Sequence, residues 1–307
     1  MLAYAFRRLA GAIPTLLVIV TAAFFLMRVA PGGPFDQEQA LPPEIAANLE
    51  AAYGLDQPML VQYRNYLVGL LHGDLGPSFR YQDFRVSELI AQGLPVTVSL
   101  GAAALVLAVL AGVPLGMLAG RRRNQATDHA VMAAALAGIA VPNFVVAPVL
   151  ALVVGVQLGW LPVGGWEPGS LRYALLPVVT LALPFIAYIA RLTRGSLLEV
   201  LQSPFIRTAR AKGLGERHIL WRHAFKPTVL PVVSFLGPAT AALLTGSLVV
   251  EQVFGLPGVG RYFVQGAVNR DYTLVMGMVV FYAVLILLLN LLVDLVYGWL
   301  DPRIRHE

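Results

Sequence analysis

The chain has 307 residues, of which 58% are hydrophobic and only 13% charged, and its formal net charge is +5. An average soluble domain is roughly 25% charged, so an ordinary soluble domain is excluded and lipid is indicated. The chain has no Cys, which excludes disulfides, thiol catalysis and cysteine-ligated metal or iron–sulfur sites within it. The positive charge does not mark a nucleic-acid partner, because no soluble module gathers the basic residues with exposed aromatics.

Lipid offers no hydrogen-bond partner to a bare backbone, so apolar runs of about 20 residues are expected as membrane-crossing helices. The first follows Arg7 and Arg8 and reaches Val29, closed by the breaker cluster Pro31 to Pro34. At that length it reads as a span rather than the short apolar core of a leader. Residues 1–30 are therefore tail and first span. Residues 31–93 carry charges, aromatics and amphipathic stretches at Pro43 to Tyr53 and Leu60 to Leu71, and read as a small extramembrane subdomain.

A membrane core over 94–300 follows. Its second span, 94–120, is stopped by Arg121, Arg122 and Arg123; its third covers 130–156; a Gly-, Pro- and Trp-rich loop leads to a fourth over 174–190. The polar stretch 191–227 is an insertion, the fifth span covers 228–250, and a Gly-rich loop precedes the sixth over 273–300. The tail 301–307 is too short to fold alone. The fold class expected is all-α, an integral membrane protein with six transmembrane helices.

Lys and Arg fix the orientation. The termini, Arg121 to Arg123 and the 191–227 insertion hold 15 of the 22 basic residues. That side is expected to be cytoplasmic, which puts both termini inside and the 31–93 subdomain outside.

Pro14, Pro114, Pro142, Pro148, Pro184, Pro231 and Pro238 lie inside spans and are expected to bend them. The two readings are ordinary kinking and a pore whose helices hinge. Gly112, Gly116 and Gly120 recur every four residues, which places them on one helix face for close packing against a neighbour. Asp294 is the one acid well inside a span. A secondary carrier usually needs several such groups. No GxxxxGK[ST] phosphate loop, HExxH or GxSxG is present, so nucleotide hydrolysis and the usual intramembrane hydrolases are not indicated. No catalytic or metal residue is assigned. His218 and His223, five apart on an expected helix, should diverge and form no metal pair.

Within the insertion, helical stretches at Pro204 to Lys212 and Gly215 to Phe225 flank Gly213 and Leu214, giving a helix-Gly-helix elbow suited to docking. Nearer the sixth span, the turn-rich segment Gly255, Leu256, Pro257, Gly258, Val259, Gly260 and Arg261 makes an external corner. It is either a plain connection or an outer gate or protein contact, with Gly255, Pro257, Gly258, Gly260 and Arg261 as the candidate residues.

The segment FIRTARAKGLGERHILWRHAFKP resembles the EAA loop of ABC importer permeases, in the version of the dipeptide and oligopeptide class. The opening MLAYAFRRLAGAIPTLLVI, YGLDQPMLVQYRNYLVGLLHGDLGPSFRY, VPNFVVAP and VFGLPGVGRYFVQGAVNRDY are similar, in the same order, to the B-type subunits of that class. Arg207-Thr208 and Phe225-Lys226 depart from the general EAA pattern in the way the peptide class does.

The resemblance implies a type I ABC importer permease fold in a bacterial inner membrane. It implies coupling to an ATPase through Arg207, Thr208, Ala209, Arg210, Ala211, Lys212, Gly213 and Leu214, with Ala209 and Gly213 letting a short helix enter a groove on that subunit. The partners implied are a second, C-type permease, two cytoplasmic ATPases holding the ATP and Mg, and a periplasmic peptide-binding protein. No cofactor is expected in this chain. The same machinery with a nickel complex, glutathione or peptide-like antibiotic as cargo, and a self-sufficient channel or secondary carrier, stand as alternatives.

Overall fold

The computed structural model describes residues 2–29, 43–81 and 83–300; side chains are described from Ala10 to Leu292, except at 43, 45, 46 and 49. The breaker cluster Pro31 to Pro34, the side chain of Asp294 and the tail lie outside the described residues. The helices are α1 Leu2–Val29, α2 Pro43–Ala52, α3 Met59–Leu71, α4 Val86–Arg121, α5 Ala126–Ala140, α6 Asn143–Leu150, α7 Leu171–Leu201, α8 Pro204–Ala211, α9 Glu216–His218, α10 Phe225–Gly246, α11 Leu248–Val253, α12 Val259–Val268 and α13 Tyr272–Leu300. Two π-helical segments join them, π1 Ala151–Gln157 and π2 Ile219–Ala224. Among the described residues the only β feature is an isolated bridge between Pro77 and Arg85.

Among the described residues, five helices or continuous helical runs can cross a membrane by length and composition, and a sixth is counted when α5 and α6–π1 are taken as one span bent by 102°. The third expected span is thus broken rather than kinked. Pro142 disfavours helical backbone at the residue before it, and Val141 is extended at φ −86° and ψ 117°. Two other stretches differ from the expected bounds. Helix α4 begins at Val86 rather than 94, and α7 continues through 191–201, part of the expected polar insertion. The continuation of α7 follows from its apolar stripe: Ala190, Thr193 and Leu197 recur three and four apart and are all buried.

The chain divides into two compact units, one of residues 1–96 and 257–291, the other of 97–256 and 292–307. In the first, α3 is fastened to α1. Thr21 and Tyr63 share a hydrogen bond of 2.6 Å, Arg28 donates from Nε to Gln62 at 3.0 Å, and its guanidinium lies 3.5 Å over the Phe24 ring. Burial pushes the Tyr66 phenol up from its ordinary pKa. The start of α13 is tied to the loop before α4 by Asp271, which is 1% exposed. Its carboxylate accepts from the Ser78 hydroxyl at 2.6 Å and from the N–H groups of Arg80 and Leu274 at 3.0 Å each. Tyr81 donates to Gln265 beside it.

The second unit is built around α7, on which α5, α6, α10 and α11 pack. A Cβ added at Gly112 would lie 2.8 Å from Ile189, one at Gly116 2.5 Å from the Ala190 carbonyl, and one at Gly120 2.9 Å from Leu197. The three glycines therefore form the track along which α4 touches α7. Two buried acids tie helices together. Asp128, 1% exposed, receives Arg194 Nε and Nη2 at 2.5 and 2.7 Å, joining α5 to α7, and caps the Asn124 N–H at 2.9 Å. Glu251, fully buried, accepts from the hydroxyls of Thr97 at 2.8 Å and Ser247 at 2.7 Å, joining α4 to α11.

Candidate functional site

The elbow between α7 and α10 is formed as a closed turn. Helix α8 starts with Pro204 at its first position, where the missing N–H costs nothing and the fixed φ favours helix. It ends at Lys212, after which Gly213 takes a left-handed φ of +79°. The Gly213 N–H donates to Arg210 O at 2.9 Å and the Leu214 N–H to Ala209 O at 3.3 Å. Those two bonds are the Schellman closure, which needs a residue without a Cβ at the turn.

Two residues three apart, Ile206 at 0% and Ala209 at 6% exposure, face inward. They pack in one apolar cluster with Met117 of α4, Leu197 of α7, and Ile219 and Ala224 of π2. Ala209 thus sits where a larger side chain would lift α8 off the ends of α4 and α7. The opposite face is exposed: Arg207, Thr208, Arg210, Ala211, Lys212, Gly213 and Leu214. Across the elbow Arg210 grips Glu216, from Nε to Oε1 at 2.7 Å and from Nη2 to Oε2 at 3.2 Å, and this hydrogen bonding raises the Arg210 pKa further. All eight residues named from the sequence thus lie on one small helical hairpin.

The hairpin leaves through π2. A π-helix repeats its hydrogen bonds at i→i+5, and His218 and His223 accordingly come together, ring centroids 5.6 Å apart. The expected divergence of these rings is therefore corrected, since it assumed α geometry. Among the described residues no group of three His, Cys, Asp or Glu could hold a metal.

The external corner uses the same closure as the elbow. Helix α11 ends at Gly255, φ +64°, with the Gly255 N–H on Gln252 O at 3.3 Å and the Leu256 N–H on Glu251 O at 2.8 Å. Gly255 belongs to the second unit and Pro257, Gly258, Gly260 and Arg261 to the first. Gly258 precedes α12 as its N-cap residue. Gly258 and Gly260 are buried and Arg261 is half-buried. A Cβ on Gly93 would come within 2.7 Å of the Val259 nitrogen.

Sequence reasoning missed the Asp128–Arg194 pair, the Glu251 cluster and the Asp271 tie. Each acid falls between the expected spans, and its partner lies 66, 154 or 193 positions away. One local signal existed: Ser247 and Glu251 are four apart, the spacing of facing residues on a helix.

Two family descriptions match the chain: the binding-protein-dependent transport system inner membrane component over residues 112–306, and the N-terminal part of such membrane components over residues 1–101. The chain is 52% identical over 306 residues, covering all of both sequences, to the oligopeptide transport system permease protein OppB of Salmonella typhimurium. It is 43% identical to the dipeptide transport system permease protein DppB of Bacillus subtilis, over 98% of this chain and 97% of that protein. Among solved structures, a histidine-bound amino acid ABC transporter aligns with TM-score 0.54 and 20% identity over 68% of this chain and 92% of its own. The inward-facing methionine transporter MetNI aligns with TM-score 0.54 and 19% identity over 70% of this chain and 97% of its own. The chain therefore has the type I importer permease fold and belongs to the family of inner-membrane components of binding-protein-dependent transport systems.

Proposed function

We propose that this chain forms half of the translocation pore of an ATP-driven importer of oligopeptides or dipeptides. A C-type permease supplies the other half, two cytoplasmic ATPases supply the force with their own ATP and Mg, and a periplasmic binding protein delivers the peptide. The observation that carries this reading is the α8 elbow: a rigid hairpin seated on the ends of α4 and α7 through Ile206 and Ala209, with a polar face free to dock. Peptide as cargo is supported by the end-to-end likeness to permeases named for oligopeptide and dipeptide transport. The charge bias puts the elbow and both termini in the cytoplasm and the external corner at the periplasm, where Gly255, Pro257, Gly258, Gly260 and Arg261 serve as gate or binding-protein contact.

Nucleotide closure of the ATPases drives α8, and because Ile206 and Ala209 of α8 pack in the cluster with Leu197 and Met117, the motion enters α7 and α4 together. Such coupling requires only that ATP favour one arrangement of the bundle over the other. The test is reconstitution of the five-part assembly with Gly213→Asp in this chain. The variant should assemble and hydrolyse ATP yet lose about tenfold or more of its peptide uptake, since a side chain at this left-handed turn strains the docking hairpin. Undiminished uptake overturns the coupling role, and ion-driven uptake by this chain alone, without ATPases, favours a secondary carrier instead.

A further inference from the structure

A groove of 320 Å³ runs between α7 and α10, bounded by Tyr188, Arg191, Gly195 and Glu199 on one side and Pro231 on the other. Its volume lies at the low end of small-ligand sites, roughly 300–1,000 Å³. The Tyr188 ring is stacked on Phe235 of α10, centroids 4.2 Å apart and planes 24° apart, so that end has a fixed aromatic wall. At the middle, a Cβ added to Gly195 would meet nothing within 4 Å. The helix carries no side chain there, which leaves room for a ligand beside the backbone.

Two opposite charges face this groove without answering each other. Among the described residues neither Arg191 nor Glu199 has a side-chain hydrogen bond or ion pair, although Arg194, one turn away, is fully engaged with Asp128. Eight residues of α-helix separate them, about 12 Å at the usual rise per residue. An extended peptide spans at most about 3.5 Å per residue, so that separation corresponds to a chain of roughly three or four residues. Both groups are exposed, and a ligand that carries a cation at one end and an anion at the other engages both at once.

We infer that this groove is a subsite for a short peptide in transit, with Arg191 binding the terminal carboxylate and Glu199, helped by the Ser196 hydroxyl, binding the terminal ammonium. The inference rests on the peptide-importer reading above. The guanidinium fork suits a carboxylate; Leu192 and Pro231 give side chains an apolar wall without selecting among them. An anionic lipid headgroup would satisfy Arg191 but face repulsion from Glu199.

The test uses the absence of native Cys. Gly195→Cys places one thiol in open space in the middle of the groove, and Leu192→Cys, at a lining residue with no polar contact to the peptide, gives a second probe three residues away. In vesicles holding the complete importer, maleimide labelling of either thiol is timed during turnover with trialanine, and uptake is recorded from wild-type vesicles in parallel. Trialanine should slow labelling about fivefold or more, while trialanine blocked at both ends should not, because the charge-assisted bonds are lost. Arg191→Gln or Glu199→Gln added to the probe should abolish most of the protection. Labelling indifferent to trialanine, equal protection by the blocked peptide, or thiols that react only after denaturation because another subunit or lipid covers them, each overturns the subsite. Failure of the wild-type vesicles to take up any peptide would instead overturn the importer reading.

Discussion

At Gly116 the approach of two helices leaves no room for a single carbon: a Cβ would stand 2.5 Å from the Ala190 carbonyl and 2.6 Å from Thr193 Cβ. Both atoms belong to well-anchored parts of α7, so neither can swing aside. Gly116→Ala should therefore destabilise the protein by about 1–3 kcal/mol, the usual cost of overpacking, and lower the midpoint of thermal unfolding in detergent. Gly11→Ala on α1, where a Cβ meets nothing within 4 Å, provides the control and should leave the midpoint unchanged or higher. A midpoint for Gly116→Ala equal to wild type would show that α4 and α7 can separate freely. The Gly track was readable from its four-residue spacing alone. The Asp128–Arg194 pair beside it was not, because a carboxylate near the start of a helix looks in sequence like a favourable first-turn acid, and nothing local names a guanidinium 66 residues away.

Among the elements, the third span shows how one residue sets a path. Val141 is extended because Pro142 follows it, and the chain turns by 102°. Replacing Pro142 with Ala restores an N–H and removes the steric bar to helix, so α5 and α6 should move toward a single rod. Spin labels at Ala133 and Leu152 should report a longer mean distance in Pro142→Ala than in wild type; an unchanged distance would mean that packing against α7, not proline, holds the bend. The sequence located the proline and an apolar run around it but did not distinguish a kink from a break, since that depends on whether neighbouring helices accept the turned segment. The elbow was more legible. Pro204, Gly213 and the apolar pair Ile206 and Ala209 each act within one turn, and local chemistry of that kind survives in the linear pattern. The π-helical register of π2 has no comparable local mark, and with it the meeting of His218 and His223 stayed hidden.

For the whole molecule, the all-α membrane class followed from composition and span length, while the type I permease fold followed from the family resemblance, which the likeness to solved ABC importers bears out. The finer division into units was not foreseeable, because Pro257–Leu291 joins the N-terminal 96 residues across a long intervening stretch. Sidedness rests on the unequal share of Lys and Arg. With no Cys in the chain, one introduced thiol reads it directly. Lys212→Cys in intact cells should resist a membrane-impermeant maleimide and react in inverted vesicles, while Arg80→Cys should behave the opposite way. The reverse pattern for both sites would invert the proposed topology and remove the elbow from the compartment where ATP is available.

The Schellman closure at Gly213 has a further consequence for the life of the complex. Because the carbonyls of Thr208, Ala209 and Arg210 at the end of α8 are already satisfied inside the hairpin, a visiting protein is not needed to cap them, and its departure leaves these three bonded. Under the proposed coupling role the joint could thus be unplugged and refitted with its shape unchanged, so that the motor would be an exchangeable part and this chain could wait, folded, for its next occupant.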